Sequence, residues 1–192
     1  MKLIYGVAFN SRGVHRATHA SRRTTAYLVW CNILRRCHDS TFKRTHPTYR
    51  DCTVCEEWLD FQNFAEWYTS HDYHGLGYDV DKDLLIQGNK LYSPETCSLV
   101  PQELNKLLTD RKAARGKYPQ GVTLDKHSGR FMVRISIDGR NKNIGRFSSP
   151  EVAHKVYREA KESYVKVKAK QWQDRIAPEV FEALMAWTLP QE

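Results

Sequence analysis

The sequence lacks any long hydrophobic run. None of its 192 residues belongs to an apolar stretch near the ~18 residues that cross a membrane. The apolar run at the N-terminus is short and soon interrupted by Arg12, unlike a secretory signal. Cysteine is scarce as well, and five cysteines, an odd number, predict reduced thiols rather than a disulfide framework. We therefore expect a cytoplasmic protein with no membrane partner.

The sequence also lacks internal repeats and low-complexity tracts. Hydrophobic residues make up 41% of the chain and charged residues 27%, which is typical of a folded protein and excludes a disordered tail. A chain of 192 residues can bury one modest core or two small ones, which excludes a large multi-domain machine.

The net charge of +8 is unevenly distributed along the chain. It is +9 in residues 1–50, −8 in residues 51–111, +10 in residues 112–175 and −3 in residues 176–192. Basic flanks suit a polyanion, and an acidic centre near that polyanion makes sense if some of its carboxylates hold a divalent cation. The alternative is ordinary charge scatter on a solvated surface.

Apolar spacing predicts secondary structure in the N-terminal half. Residues 2–8 predict a short strand. Apolar side chains recur at helical intervals over residues 27–37 and predict a helix with Arg35 and Arg36 near its C-terminal end. Aromatic side chains over residues 58–68 follow the same spacing, so we expect a second helix with its aromatic stripe in the core.

The C-terminal part predicts a small three-stranded antiparallel sheet packed on one helix. Three strand-like runs lie within residues 121–147, and Asp138-Gly139 between the last two is a hairpin signal. A helix to about Ala169 follows, with Ser149 as its N-cap and Pro150 in its first turn.

The central strand of this sheet separates an apolar face from a polar one. The apolar face must meet the helix, so Arg130 and Arg134 lie on the opposite face. Arginines beside amide and hydroxyl groups can read bases in the major groove, although any half-exposed antiparallel sheet alternates in this way. The other polar side chains expected on this face are Thr123, Asp125, Asn141 and Asn143.

Several motifs of this part occur together in order. They include Gly129-x-Phe131-x-x-x-Ile135, Ile144-Gly145-Arg146-Phe147, Glu151-x-Ala153, Val156-Tyr157 and Ala160. The segment 117–166 resembles the DNA-binding domain of plant ethylene-response factors, the APETALA type, which is also fused to phage homing endonucleases. Phe131 stands where plant members carry Trp. The resemblance implies major-groove reading by the three-stranded sheet.

The acidic middle of the chain contains three alternating carboxylates. Asp79, Asp81 and Asp83 are predicted to point to one side of a strand, a costly row of like charges unless a cation compensates it. Asn105 lies one turn into the helix predicted after the next strand. Carboxylate and amide oxygens suit Mg²⁺, although acidic strands are also common surface features.

The same region carries a second resemblance, over roughly residues 27–110. Its motifs are Asp79-Val80-Asp81-Lys82, Gly88-Asn89-Lys90, the run Tyr92-Ser93-Pro94-Glu95-Thr96-Cys97, and Val100-Pro101-Gln102-Glu103-Leu104-Asn105. They resemble the ββα-metal finger of HNH endonucleases, in the subgroup of phage homing endonucleases. The resemblance implies that Asp81 and Asn105 hold Mg²⁺ or Mn²⁺, and it puts Thr96 where the family has the Asn that braces the loop.

The general-base position of that family falls on Lys82. An ordinary lysine, with a pKa near ~10.4, is mostly protonated at neutral pH and accepts no proton from water. Either the activity is lost or another residue is the base. His74 is the nearest preceding histidine and the second candidate, against the alternative of a loop histidine with no catalytic part.

Four cysteines offer a tetrahedral zinc site as a further alternative. They are Cys37, Cys52, Cys55 and Cys97. Only one Cys-x-x-Cys pair is present, and an apolar helix face follows it, so we favour small buried thiols over structural zinc.

The sequence thus predicts an α+β chain in four parts: an HNH-like nuclease domain over residues 1–111 with its finger at about 78–110, a linker at 112–118, an APETALA-type domain at 119–170 and a helical extension at 171–192. The expected function is metal-assisted, site-preferring cleavage of double-stranded DNA, in the host cytoplasm if the gene is a phage's. A catalytically inactive DNA-binding protein and an adaptor for a host protein are the alternatives. The expected DNA contacts outside the sheet face are Arg35, Arg36, Lys142, Lys166 and Lys168.

Overall fold

Helices and small sheets alternate along the chain in the computed structural model, which describes residues 3–109 and 117–190. The fold is α+β, as expected. The chain divides into two compact units: the first holds the described residues up to Gln102 together with Arg175–Val180, and the second holds Glu103–Asp174 and the residues from Phe181 onward. This division differs from the predicted domain boundary at residue 111, and residues 112–116 of the predicted linker lie outside the described residues.

The first unit begins with helices and short strands. These are β1 (Thr18–His19), β2 (Arg22–Arg23), α1 (Thr25–His38), α2 (Ser40–Thr45), β3 (Thr53–Val54) and α3 (Phe61–Ser70), with 3₁₀ turns at Pro47–Tyr49 and Glu57–Leu59. The predicted helices are confirmed as α1 and α3. Their facing aromatic side chains form the core, where Trp30, Trp58, Phe61 and Phe64 are fully buried and the Trp30 indole donates to the Trp58 carbonyl oxygen at 2.7 Å.

Three further strands follow in this unit: β4 (Tyr78–Asp81), β5 (Leu91–Tyr92) and β6 (Ser98–Pro101). β4 pairs with β6 in an antiparallel ladder, whereas β5 pairs in parallel with β3. Helix α4 (Gln102–Leu108) begins directly after β6. The predicted order of strand, loop, strand and helix is therefore present, with Pro101 ending the second strand instead of opening the helix.

The second unit contains the expected three-stranded sheet. β7 (Val122–Asp125), β8 (Arg130–Ile137) and β9 (Arg140–Phe147) pair in that order, all antiparallel, and α5 (Pro150–Trp172) packs on β8. Ser149 caps α5 by accepting a hydrogen bond from the Val152 amide at 3.3 Å. A 3₁₀ turn at Gln173–Arg175 and α6 (Pro178–Ala186) complete the helical extension.

The strand predicted at residues 2–8 is wrong over the part that the structure describes. Tyr5 and Gly6 both have positive φ angles, +52° and +74°, and turn the chain so that the Ile4 amide donates to Ala8. Within the described residues, no helix is long and apolar enough to cross a lipid bilayer.

Candidate functional site

The ladder between β4 and β6 sets out the acidic site. Asp81 lies opposite Ser98, and Asp79 lies opposite Val100. Because opposed residues of an antiparallel pair share a face and alternate residues of one strand do too, Asp79, Asp81 and Ser98 lie on one side of the ladder. Val80 and Leu99 are buried in the core on the other side.

The predicted row of three carboxylates is corrected to two. β4 ends at Asp81, so Asp83 lies in the following turn, where its Oδ2 pairs with Lys82 Nζ at 2.9 Å. Asp79 is close enough to Arg36 for the two charges to interact. Asp81 Oδ2 instead accepts hydrogen bonds from two backbone amides.

The surroundings of Asp81 oppose its ionisation. Burial and, after it, the neighbouring charge of Asp83 raise the pKa of Asp81 to about 6, against two backbone amides that donate to Oδ2, from Asp83 at 3.0 Å and from Leu84 at 2.7 Å, and against the charge of Lys82. Oδ1 accepts no hydrogen bond from any described residue. Ser98 Oγ is buried, and it too has no hydrogen-bond partner in the described part of the chain.

These groups fit a hard divalent cation. A half-buried carboxylate and a buried hydroxyl on the same side of one ladder are oxygen ligands of the kind Mg²⁺ prefers, and Mg²⁺ completes its shell with waters. The described residues hold no group of three or more His, Cys, Asp or Glu side chains placed for a metal, so the candidate ligands are one carboxylate and one hydroxyl. Ser98 was missed by sequence reasoning; only its strand register relative to Asp81 identifies it.

Lys82 is placed as a structural residue. Its side chain is buried, and Nζ donates both to Asp83 Oδ2 at 2.9 Å and to the Asn89 carbonyl oxygen at 3.0 Å. The Tyr92 ring centroid lies 6.0 Å from the ammonium. An ammonium surrounded in this way holds the turn between β4 and β5. The catalytic role of Lys82 stays a prediction.

Asn89 braces the same turn. Its side-chain amide donates to the Lys82 carbonyl oxygen at 2.6 Å and to that of Leu91 at 2.7 Å, while its Oδ1 accepts from the Leu91 amide at 3.1 Å. Thr96, the residue expected to brace the loop, donates to the same Leu91 oxygen at 2.8 Å. The bracing role is thus shared, and the Gly88-Asn89 turn sequence was the available signal for it.

The other expected catalytic residues lie in separate places. His74 is exposed in the turn after α3, and its Nδ1 donates to the His71 carbonyl oxygen at 2.6 Å, which leaves Nε2 as the basic nitrogen. Asn105 lies in α4 and belongs to the second unit, whereas Asp81 belongs to the first. Its carbonyl oxygen accepts from the Thr109 amide at 3.2 Å.

The cysteines behave as buried thiols. Cys37, Cys52 and Cys97 are buried and Cys55 is half-buried. Burial raises the pKa of Cys37 and of Cys97 to about 12, so both are protonated at neutral pH.

The two arginines at the end of α1 differ in availability. Arg35 is exposed, with its guanidinium 4.7 Å from the Phe42 ring centroid. Arg36 is half-buried, donates to the Tyr92 hydroxyl at 3.2 Å and lies 5.2 Å from the Tyr49 ring centroid. Arg35 can therefore contact a polyanion from its present position, whereas Arg36 is engaged inside the unit.

The polar face of the three-stranded sheet is as expected. Val133 and Ile135 are buried against the helix side, and Arg130, Arg134 and Ser136 are exposed. Asn143 lies opposite Arg134 and Asn141 opposite Ser136, while Thr123 lies opposite Met132. A bulge between Val133 and Arg134, where β9 carries the extra residue Ile144, keeps these polar side chains on one face.

Arg146 belongs to the same face and was missed. It lies opposite Met132 in the ladder. Its Nε donates to Asp125 Oδ2 at 3.1 Å, and Asp125 also accepts from Ser128 Oγ at 2.9 Å. Hydrogen bonds from Ser128 and the His127 amide, together with Arg146, hold the pKa of Asp125 below its ordinary value. Asp125 thus fixes the direction of an exposed arginine on this face.

The three lysines expected to contact phosphate differ in their surroundings. Lys142 lies opposite Ile135, so it sits on the helix side of the sheet and not beside Asn141 and Asn143. Lys166 is exposed on α5. Lys168 Nζ pairs with both Glu103 and Asp138 at 2.7 Å, and these contacts raise its pKa, so its ammonium is engaged in internal ion pairs and its phosphate contact stays a prediction.

Comparison of the chain with protein-family models, curated proteins and solved structures gives no match.

Proposed function

We propose that the chain is a site-preferring DNA endonuclease of the HNH homing type, with Mg²⁺ or Mn²⁺ assisting phosphodiester hydrolysis. The observation that carries the proposal is Asp81, a half-buried carboxylate with raised pKa that lies opposite Ser98, whose buried hydroxyl has no hydrogen-bond partner among the described residues. A buried group in this condition is a functional-site candidate because folding alone gains nothing from it. Its motif context resembles the ββα-metal finger.

In this proposal each residue has a defined part. Asp81 and Ser98 would hold the cation, which would supply electrostatic stabilisation of the leaving oxygen. The ligand role of Asn105 is implied by the motif resemblance alone. Lys82 and Asn89 hold the turn after β4, so that Asp81 keeps its direction. His74 Nε2 is the candidate acceptor of a proton from water.

The polar face of the sheet would place the DNA. Arg130 and Arg134 are candidates for base contacts in the major groove, and Thr123, Asn141 and Asn143 surround them with hydrogen-bonding groups. Arg35 and the exposed arginines of the β1–β2 hairpin, Arg22 and Arg23, are candidates for phosphate contacts.

A DNA-binding protein without nuclease activity is the second candidate. The internal engagement of Lys82 favours it, since the position where the HNH family carries its base holds a buried ammonium here.

Incubation of supercoiled plasmid with the full chain and Mg²⁺ or Mn²⁺ tests the proposal. We expect relaxed or linear product, abolished by Asp81→Ala and by Asn105→Ala while duplex binding is retained. Asp72→Ala, which removes an exposed carboxylate in the turn after α3, is the matched control and should cut normally. Binding without any cutting in either metal would favour the second candidate.

A further inference from the structure

A cleft in the second unit is separate from the polar sheet face. Its volume is about 650 Å³, and its walls come from the segment before β7 and from the first turns of α5. Clefts of this size hold small organic ligands, and an inorganic anion alone would leave most of the volume empty.

The charged side chains of this cleft favour a dianion. Lys117, Lys155 and Arg158 line it together with a single carboxylate, Glu151, which gives a net charge of +2 when His154 is neutral. A phosphate monoester carries about −1.5 to −2 at neutral pH. The charges of cleft and ligand would therefore nearly cancel.

The guanidinium of Arg158 is a second feature of the cleft. Its Nε is buried and finds no hydrogen-bond acceptor among the described residues. The Arg158 side chain lines the cleft, and a guanidinium carries N–H groups whose spacing matches that of phosphate oxygens.

The remaining wall is apolar. Tyr118, Pro119 and Pro150 line the cleft, and the Tyr118 ring is held edge-on against Phe131 with 5.2 Å between centroids. A ring fixed in this way offers a flat surface for the organic part of a ligand.

We propose that this cleft is a binding site for a phosphate ester, with Arg158, Lys155 and Lys117 on the phosphate group and Tyr118 against the organic part. The site is independent of the proposed nuclease chemistry, since none of its residues belongs to the acidic site. The phosphate ester has two sources, a free nucleotide or the backbone of bound DNA.

Isothermal titration of AMP into the full chain at 0.1 M NaCl tests the site, with inorganic phosphate as a second probe. We expect saturable binding of AMP, weakened about tenfold by Arg158→Gln and several-fold by Lys155→Gln. Glu151→Gln should strengthen binding, because it removes the one carboxylate among the described residues that line the cleft. Lys155 is exposed, so its variant keeps the test valid if Arg158→Gln fails to fold.

Lys166→Gln is the matched control: the same charge is lost from the same helix, outside the cleft. It should change AMP affinity by less than about twofold, as should Asp81→Ala. Absence of saturable AMP binding, or an equal loss in Lys166→Gln, would overturn the proposal.

Competition with a 20-base-pair duplex separates the two sources. If the duplex displaces AMP and Arg158→Gln weakens duplex binding too, the phosphate comes from DNA. If AMP stays bound beside the duplex, the ligand is a free phosphate ester. Either result supports the site.

Discussion

Asp81 is the strongest candidate residue because the two neighbouring carboxylates each interact with a cationic side chain. Asp83 pairs with Lys82, and Asp79 interacts with Arg36. The two backbone amides on Asp81 Oδ2 only partly offset its burial. Ionised Asp81 therefore destabilises the folded chain unless a cation binds, which makes its role measurable without a nuclease assay.

Asp81→Asn should stabilise the protein at pH 8 and not at pH 4. Folding raises the pKa of Asp81 from 3.8 to about 6, so the folded chain binds the proton more tightly and the free energy of unfolding falls as pH rises through this window. Above about pH 6 the full penalty, about 1–3 kcal/mol, is present and the amide removes it. Urea unfolding at both pH values measures this.

Two controls sharpen that measurement. Asp72→Asn changes an exposed carboxylate and should shift neither curve. Added Mg²⁺ should stabilise the wild type at pH 8 and leave Asp81→Asn unchanged. An equal gain from Asp81→Asn at both pH values would show that burial of its charge is not the cause.

Lys82→Met should lower stability and cutting together without changing the pH profile of cutting. The variant keeps most of the side-chain volume but leaves Asp83 and the Asn89 carbonyl oxygen without the ammonium, a cost of about 1–3 kcal/mol. A residue that positions the turn alters rate uniformly over pH, whereas a base alters the apparent pKa of the reaction. Loss of the alkaline limb of the profile in this variant would restore Lys82 as the base.

Sequence reasoning located the acidic site but not its internal partners. Alternation predicted Asp79 and Asp81 on one side, and the ladder to β6 confirms that arrangement. The same alternation predicted that the strand continues to Asp83, because no glycine or proline in residues 82–86 marks the turn. The roles of Ser98 and Asn89 depend on register and on loop closure, which single-sequence patterns do not encode.

At the scale of elements, periodicity succeeded where one face is buried. Helices α1 and α3 and the sheet β7–β9 follow their apolar patterns. The strand predicted at residues 2–8 failed because Gly6 permits a tight turn there. The parallel pairing of β5 with β3 joins segments that are far apart in sequence, so local patterns carry no signal for it.

Gly121→Ala should destabilise the sheet and helix of the second unit. A Cβ at this residue would lie 2.0 Å from the Tyr157 ring, and its φ of +79° disfavours any L side chain. We expect a loss of about 3 kcal/mol or more in the free energy of unfolding. Gly129→Ala is the matched control: φ is +66° with nothing within 4 Å, so about 1 kcal/mol is expected from the backbone alone. Urea titration of both variants decides; equal losses would mean that the contact with Tyr157 does not limit this packing.

At the scale of the whole molecule, the cationic side chains of one charge block differ in what they contact. The basic block of residues 112–175 contains exposed arginines on the sheet face and lysines elsewhere on the unit. At least one of these lysines, Lys168, forms an ion pair within the protein. Net charge alone therefore overstates the surface available to DNA. The salt dependence of binding measures how many of these cations meet phosphates.

Arg134→Ala, Lys166→Ala and Lys168→Ala should give three different signatures in duplex binding. Arg134 faces solvent in the centre of the polar face, so its loss should cost about 1–3 kcal/mol on a duplex enriched by selection from random DNA and much less on random duplex. Lys166, if it meets a phosphate, should weaken both duplexes equally and lower the slope of log K against log salt by about 0.9. Lys168 should leave the slope nearly unchanged, because its ammonium is held by Glu103 and Asp138.

Fluorescence anisotropy over a series of salt concentrations on both duplexes separates these signatures. Equal losses on both DNAs for Arg134→Ala would mean that the sheet face is only an electrostatic surface, and base reading by this face would be rejected. A slope change for Lys168→Ala as large as that for Lys166→Ala would mean that DNA displaces the two carboxylates from Lys168. In that case the internal ion pairs of the free protein are exchanged for phosphate on binding, and the number of phosphate contacts is larger than the exposed cations alone predict.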